Sequence, residues 1–150
     1  MPSFHIRPAT AADIPALMSV EREADTASHW SEEQYKLVFS QNSKRNVQVI
    51  ENVGNIYGFV VLHAIAQEWE IENLAVADAA RRKGLGMQLL REALNLACRQ
   101  GAQRIFLEVR ASNLAARRLY EKSGFTQSGQ RKKYYRNPDE DAVVYQLRCS

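Results

Sequence analysis

Apolar residues recur along this chain at two spacings, helical and alternating, and the switches between them mark its elements. Phe4 to Arg7 reads as a short strand closed by Pro8. Ile14, Leu17, Met18 and Ala24 then recur at helical spacing behind Asp13, a residue that can cap or open a helix. Ser31-Glu32-Glu33-Gln34 is a capping-box pattern, in which the Ser hydroxyl serves a free backbone N–H and the Gln reaches back. It predicts a second helix from Glu32 to about Gln41. Val47 to Ile50 and Ile56 to Leu62 are β-rich runs separated by Asn52-Val53-Gly54-Asn55, a hairpin signal, and Trp69 to Val76 continues the meander. Leu85, Leu89, Leu90, Ala93, Leu94 and Ala97 trace one face of a long helix ended by Gly101. Arg104 to Arg110 is a further strand, Ala115 to Lys122 a further helix, and Gly124 its stop. Phe125 to Gln130 and Ala142 to Leu147 read as closing strands, joined by a loop containing Asn137-Pro138-Asp139.

The resulting order, β-α-α-β-β-β-α-β-α-β-β, predicts an α/β fold: a mixed sheet with helices on both faces. No linker, low-complexity segment or repeat interrupts it, so a single domain spanning 1–150 is expected. At 45% hydrophobic and 25% charged, the composition excludes a disordered tail, a collagen-like chain and a coiled-coil rod. Phe59 to Ala66, the longest apolar stretch, is broken by His63 and falls short of the roughly 18 residues of a membrane-spanning helix. Met1 to Ile6 shows no basic flank followed by an apolar core, so no secretory signal is visible. Two cysteines are too few for a disulfide framework: Cys98 reads as core and Cys149, beside the chain end, as inert. His5, His29 and His63 are scattered, and no spacing resembles a metal site. A soluble, cytoplasmic, metal-free domain is the expectation.

Charge adds an asymmetry. The formal net charge of +3 divides into 5 basic and 10 acidic residues over 1–75, against 15 and 7 over 76–150. A half at −5 is joined to a half at +8, which suggests an anionic partner for the second half. Nucleic acid, a phosphorylated cofactor and a membrane surface all meet that description.

Four segments carry candidate chemistry. Arg81-Arg82-Lys83-Gly84-Leu85-Gly86 lies between a predicted strand and the long helix. Closely spaced glycines let backbone N–H groups approach a phosphate, the helix N-terminus adds its dipole, and three cations add charge. The third glycine of a dinucleotide fingerprint is missing, and no Gly-Lys-Ser/Thr follows. Glu108 falls mid-strand, on one face with Phe106 and Arg110. It is either half of an ion pair, with Arg110 or another cation, or a general base with a pKa raised by partial burial. Tyr120 occupies an inward-facing helix position, as core or as a proton donor to a leaving thiolate or alkoxide. Arg131-Lys132-Lys133-Tyr134-Tyr135-Arg136 interleaves cations with aromatics, the composition of a single-stranded nucleic-acid platform. A solvated hairpin, its charge offset by Asp139-Glu140-Asp141, is the plainer reading.

Together these segments resemble the GCN5-related N-acetyltransferase (GNAT) superfamily. Arg81-x-x-Gly84-x-Gly86 is similar to its acetyl-CoA pyrophosphate loop. Leu107 to Asn113 and Leu119 to Phe125 are similar to the bacterial ribosomal-protein-alanine N-acetyltransferases. His29-Trp30-Ser31-Glu32, and Tyr134-Tyr135 followed by Glu140-Asp141-Ala142, support the same subfamily. The resemblance implies a mostly antiparallel sheet splayed at an acetyl-CoA site, with acetyl-CoA as co-substrate. It implies a peptide α-N-acetyltransferase acting by direct transfer on the N-terminal alanine of a small-subunit ribosomal protein. By position, Leu74, Ala75 and Val76 match the splayed strand that aligns the pantetheine and acetyl group. Arg82, Lys83, Gly84, Leu85, Gly86 and Met87 match the pyrophosphate cradle, and Asn113 a CoA contact. Glu108 matches the general base and Tyr120 the acid. Arg131-Lys132-Lys133 and the loop to Glu140 depart from the family pattern where a peptide would enter. Another protein N-terminus, a lysine or a small amine therefore stays open as acceptor. Glu68, Glu70 and Glu72 beside the cleft would attract a basic protein tail.

Overall fold

Strands β1 (His5–Pro8), β2 (Arg45–Asn52), β3 (Asn55–Ile65), β4 (Glu68–Val76), β5 (Arg104–Arg110), β6 (Thr126–Tyr135) and β7 (Glu140–Arg148) hydrogen-bond into one sheet. Their order across it is β1-β2-β3-β4-β5-β7-β6. Helices α1 (Ile14–Glu23), α2 (Glu32–Val38), α3 (Leu85–Arg99) and α4 (Leu114–Lys122) complete the expected element order. The computed structural model describes residues 3–24, 29–78, 84–136 and 139–150. Arg82 and Lys83 of the basic loop, and Asn137-Pro138 of the last hairpin, lie outside the described residues.

Local chemistry explains where the elements begin and end. Val53 and Gly54 both have positive φ, 52° and 78°, the geometry that lets a two-residue turn join twisted strands β2 and β3. The capping box of α2 forms: the Gln34 N–H donates to Ser31 Oγ (3.1 Å), and the Ser31 N–H to Gln34 Oε1 (2.7 Å). α2 stops at Val38, short of Gln41, because serine hydroxyls take the last carbonyls. Ser40 Oγ donates to Leu37 O and Ser43 Oγ to Val38 O, both at 2.6 Å. Asp13 acts one turn ahead of α1, where its carboxylate accepts from the Thr10 N–H at 2.8 Å and pairs with Arg7 at 3.0 Å. The Arg7 hydrogen bond pulls its pKa down. β6 runs to Tyr135, well past Gln130, on pairing with β7 that its exposed polar residues do not announce.

Two apolar layers sandwich the sheet. Leu85, Leu89, Leu90, Ala93 and Ala97 of α3 pack on Val60, Leu62, Ile105 and Leu107, with Tyr120 of α4 in the same cluster. Ile14, Leu17 and Val20 of α1 and Tyr35 of α2 pack on Val49, Phe59, Val61 and Ala75 from the other side. Gly58 sets the spacing of the first layer. A Cβ there would lie 3.0 Å from both Ala75 O and Leu89 Cδ1, and 3.3 Å from Ile50 Cγ2.

β4 is irregular in two ways. Val61 pairs with Asn73 and Leu62 with Ile71, so Glu72 is an extra residue in the ladder. The bulge reverses the strand's alternation: Trp69, Ile71, Leu74 and Val76 pack towards α3, while Ala75 packs towards α1. β4 also pairs in parallel with β5, through α3 as the crossover, and does so over Glu68–Glu70 against Arg104–Phe106. Beyond that the two strands part.

The cysteines correct the reading as unpaired. Cys98 and Cys149 form a disulfide, with Cα atoms 5.6 Å apart across 51 residues. The cause is tertiary: the Cys149 N–H donates to Gln103 O at 2.9 Å, which lays the end of β7 beside the C-terminus of α3.

Gly58→Ala is expected to lower stability by about 1–3 kcal/mol, the range for overfilling a packed site. Chemical denaturation measures it, and an unchanged midpoint would contradict the close approach of α3.

Candidate active site

Where β4 and β5 part, a cleft of about 500 Å³ opens. Leu74 and Val76 of β4 form one wall, and Leu107, Glu108 and Val109 of β5 the other. Gly86 of α3 and Asn113, Leu119 and Tyr120 from the α4 region close one side, and Tyr135 of β6 reaches in from another.

The β4 wall presents backbone as well as side chains. The Ala77 N–H donates to Tyr57 O at 2.8 Å, which fixes the phase of the antiparallel ladder with β3. The alternation then turns the amides of Leu74 and Val76 away from β3, to the side where β5 has diverged.

A buried carboxylate holds that wall in place. Glu21, 2% exposed on α1, accepts from Asn73 Nδ2 (3.0 Å), Tyr35 Oη (2.7 Å) and the Trp30 N–H (2.9 Å). One group thus ties β4 beyond its bulge to α1, α2 and the segment carrying His29, a cleft residue. Sequence reading missed Glu21 and Asn73. The available signal was an acid on the apolar stripe of α1, four residues after Leu17.

Tyr120 is buried, edge-on to the Phe125 ring at 5.7 Å. Burial, then the nearby Tyr135, raises its pKa, so the phenol keeps its proton through the neutral and alkaline range. α4 is clamped by Arg117, which donates to Tyr145 Oη (3.1 Å) and Ala111 O (2.8 Å), and by Tyr145 Oη donating to Glu121 (2.7 Å). Asn113 does two things, since its Oδ1 caps α4 by accepting from the Ala116 N–H at 3.2 Å while the residue lines the cleft.

Glu108 stands opposite, paired with Arg131 rather than Arg110: Arg131 Nη1 donates to Glu108 Oε1 at 2.8 Å. Arg110 reaches Glu140 Oε1 at 3.4 Å and the Arg136 carbonyl at 3.0 Å, and lies over the Tyr135 ring. Burial raises the Tyr135 pKa to about 12, with Glu108 adding to it. Loss of solvent, then the Glu72 and Glu108 charges, raise the pKa of Glu70. Glu72 itself pairs bidentately with Arg45, at 2.9 and 2.8 Å.

The cleft therefore gathers Leu74, Val76, Gly86, Glu108, Asn113 and Tyr120 from the expected set. The Ala75 side chain is buried towards α1, and that of Leu85 is buried between α3 and the sheet. Met87 turns to Ser123, whose Oγ donates to its sulfur at 3.2 Å. Gly84, at φ +75°, ends the loop as the N-cap of α3, with no side chain capping it. Gln88 N–H closes on Gly84 O, so the amides of Leu85, Gly86 and Met87 precede the first helical hydrogen bond. A Cβ on Gly86 would sit between Leu119 (3.6 Å) and Val76 (3.7 Å), filling the floor of the cleft. Bare amides at a helix N-terminus, beside a glycine floor, suit a phosphate-bearing ligand with a narrow acyl arm. Among the described residues no cluster could hold a metal ion, and no helix is long and apolar enough to cross a membrane.

Residues 14–125 match the model of the acetyltransferase (GNAT) family. The chain is 36% identical over 142 residues to the ribosomal protein bS18-alanine N-acetyltransferase of Escherichia coli (strain K12), covering 92% of this chain and 93% of the relative. The crystal structure of the ribosomal-protein-S18-alanine N-acetyltransferase from Escherichia coli superposes with a TM-score of 0.90 at 31% identity, covering 99% of this chain and 95% of that one. A GNAT acetyltransferase from Elizabethkingia anophelis with acetyl-CoA bound shares the fold, with a TM-score of 0.80 at 23% identity over 97% of both chains. With its splayed sheet, its glycine-floored cleft and these relatives, the chain belongs to the GNAT family of acetyltransferases.

Proposed function

We propose that the chain works as one domain, 1–150, that transfers the acetyl group of acetyl-CoA directly to the N-terminal alanine of a small-subunit ribosomal protein. The observation that carries this reading is the placing of Glu108 and Tyr120 on different walls of a cleft faced by the Leu74 and Val76 amides. The acceptor is supported by the bS18-alanine activity in the names of relatives matched over nearly their whole length. Glu68 and Glu70 line a depression of about 600 Å³ that meets the cleft at Leu107 and Glu108, so a basic acceptor chain would find carboxylates there. Those substrates put the enzyme in the cytoplasm, and the Cys98–Cys149 disulfide stands apart from the cleft. The pair lies roughly 18 Å from Gly86 along α3, from 1.5 Å of rise per residue, well away from the chemistry.

Each residue's part follows from its surroundings. The amides opening α3 bind phosphate oxygens of acetyl-CoA, with Arg82 and Lys83 adding charge, and Asn113 is left with its amide N–H groups to donate. The acceptor's α-ammonium, with an ordinary pKa of about 7.7–8.0, gives a proton to Glu108 directly or through water. The free amine attacks the thioester carbonyl carbon, and the amides of Leu74 and Val76 stabilise charge developing on its oxygen. As the C–S bond breaks, Tyr120 gives its proton to the departing sulfur, and the second proton lost by the acylated nitrogen restores the phenol. No side-chain nucleophile is required.

Profiling acetyl transfer over peptides of varied first residue, alongside lysine peptides and polyamines, tests the acceptor. N-terminal alanine is expected to lead, and equal use of all acceptors would overturn the assignment. Glu108→Gln is expected to lower turnover by about 10²-fold near neutral pH with acetyl-CoA affinity retained. Its deficit narrows above about pH 8, where the amine is already free. Tyr120→Phe is expected to slow turnover by a factor that stays constant across that range, since burial keeps Tyr120 protonated. Stopped-time rates from pH 6 to 9 check both, and wild-type rates in both variants would contradict the roles.

A further inference from the structure

We infer that Arg131 is a positioning residue that caps the Glu108 carboxylate until an ammonium-bearing acceptor displaces it, and so protects acetyl-CoA from hydrolysis. The inference rests on the reading of Glu108 as the base.

The cap is built by β6. Arg131 pairs with Ala142 and Tyr135 with Glu140, so the intervening residues of β6 bulge out of the ladder. Lys133 takes a positive φ of 50°, and its N–H is held by Asp141 Oδ1 at 2.8 Å. The bulge lets consecutive Tyr134 and Tyr135 both approach Glu108, and their rings meet edge-on at 5.2 Å. The Arg131 guanidinium lies over the Tyr134 ring at 4.2 Å, and the Glu108 carboxylate adds to the burial that raises the Tyr134 pKa. Arg131 is 55% exposed and Glu108 27%, so the cation stands between the carboxylate and bulk water.

Such a pair exchanges selectively. It is exposed enough to be weak. An α-ammonium carries the same charge and the same kind of N–H donor as the guanidinium, so replacing one by the other leaves the charge at the carboxylates unchanged. Water brings no charge, and would leave Glu108 uncompensated beside Glu70, a second carboxylate within its field. Without the cap, Glu108 could take a proton from water as it does from the acceptor. The water oxygen would then bond to the thioester carbon, the C–S bond would break, and Tyr120 would protonate the sulfur, giving acetate and CoA. Arg131 holds Oε1, a carboxylate oxygen that such a water needs.

The test is acetyl-CoA hydrolysis by the purified full chain without acceptor, followed as free thiol, beside peptide acetylation by the same preparations. Arg131→Gln is expected to raise hydrolysis severalfold. Arg131→Lys, whose ammonium can still reach the carboxylate, is expected to stay near the wild-type level. Adding Glu108→Gln to Arg131→Gln is expected to abolish the rise. Hydrolysis by Arg131→Gln at the wild-type level overturns the cap, as does a rise that survives in the double variant. Peptide acetylation by Glu108→Gln at the wild-type rate overturns instead the underlying reading of Glu108.

Discussion

The parting of β4 from β5 is the constraint on which the rest of the molecule depends. A parallel pair that ran its full length would satisfy its own amides and leave no cleft. Pairing is confined to Glu68–Glu70 against Arg104–Phe106. Two local devices draw β4 away. The Glu72 bulge shifts the phase of the strand, and Glu21 then holds Asn73 on the α1 side with a buried carboxylate that three donors satisfy. An unpaired buried carboxylate would be costly, so the network fixes where β4 goes as firmly as the apolar packing around it.

The divergence sorts the chemistry by depth. Tyr120 sits at the buried side, where loss of solvent holds its proton on, which suits the proposed role of donor. Glu108 lies nearer the surface, among residues of β6 and β7, in contact with a cation that water can reach. Glu108 and Tyr120, the proposed proton acceptor and donor, are thus separated by the same opening that exposes the β4 amides. The charge asymmetry of the sequence resolves along the same line. The basic half contributes the start of α3, and the acidic half contributes Glu68, Glu70 and Glu72 on the other side of the cleft.

Much of this was legible from residue order. Alternating and helical spacing located most of the strands and helices, because most elements bury one face and their side chains record it. Capping chemistry marked the start of α2, and Gly84-x-Gly86 marked the start of α3 and the floor of the cleft. The rest needed distance in space rather than in sequence. Glu21 and Asn73 lie 52 residues apart and meet across two layers. Cys98 and Cys149 meet through the docking of the chain end on Gln103. Arg131, not the local Arg110, reaches Glu108, because β6 and β5 flank β7 in the sheet, and an exposed polar strand such as β6 carries no apolar pattern to read.

Gly86 offers the most direct measurement. Its missing side chain leaves the cleft floor open, and the space around it tolerates a Cβ without displacing protein atoms. Calorimetric titration of Gly86→Ala with acetyl-CoA, beside a thermal unfolding curve, separates folding from binding. The expected result is a folded protein with an unchanged or higher unfolding midpoint, and acetyl-CoA affinity reduced by a factor on the order of 10, as when a side chain occupies the place of a fitted ligand. Wild-type affinity in a folded Gly86→Ala would contradict it, because the acyl arm could not then lie between β4 and α3.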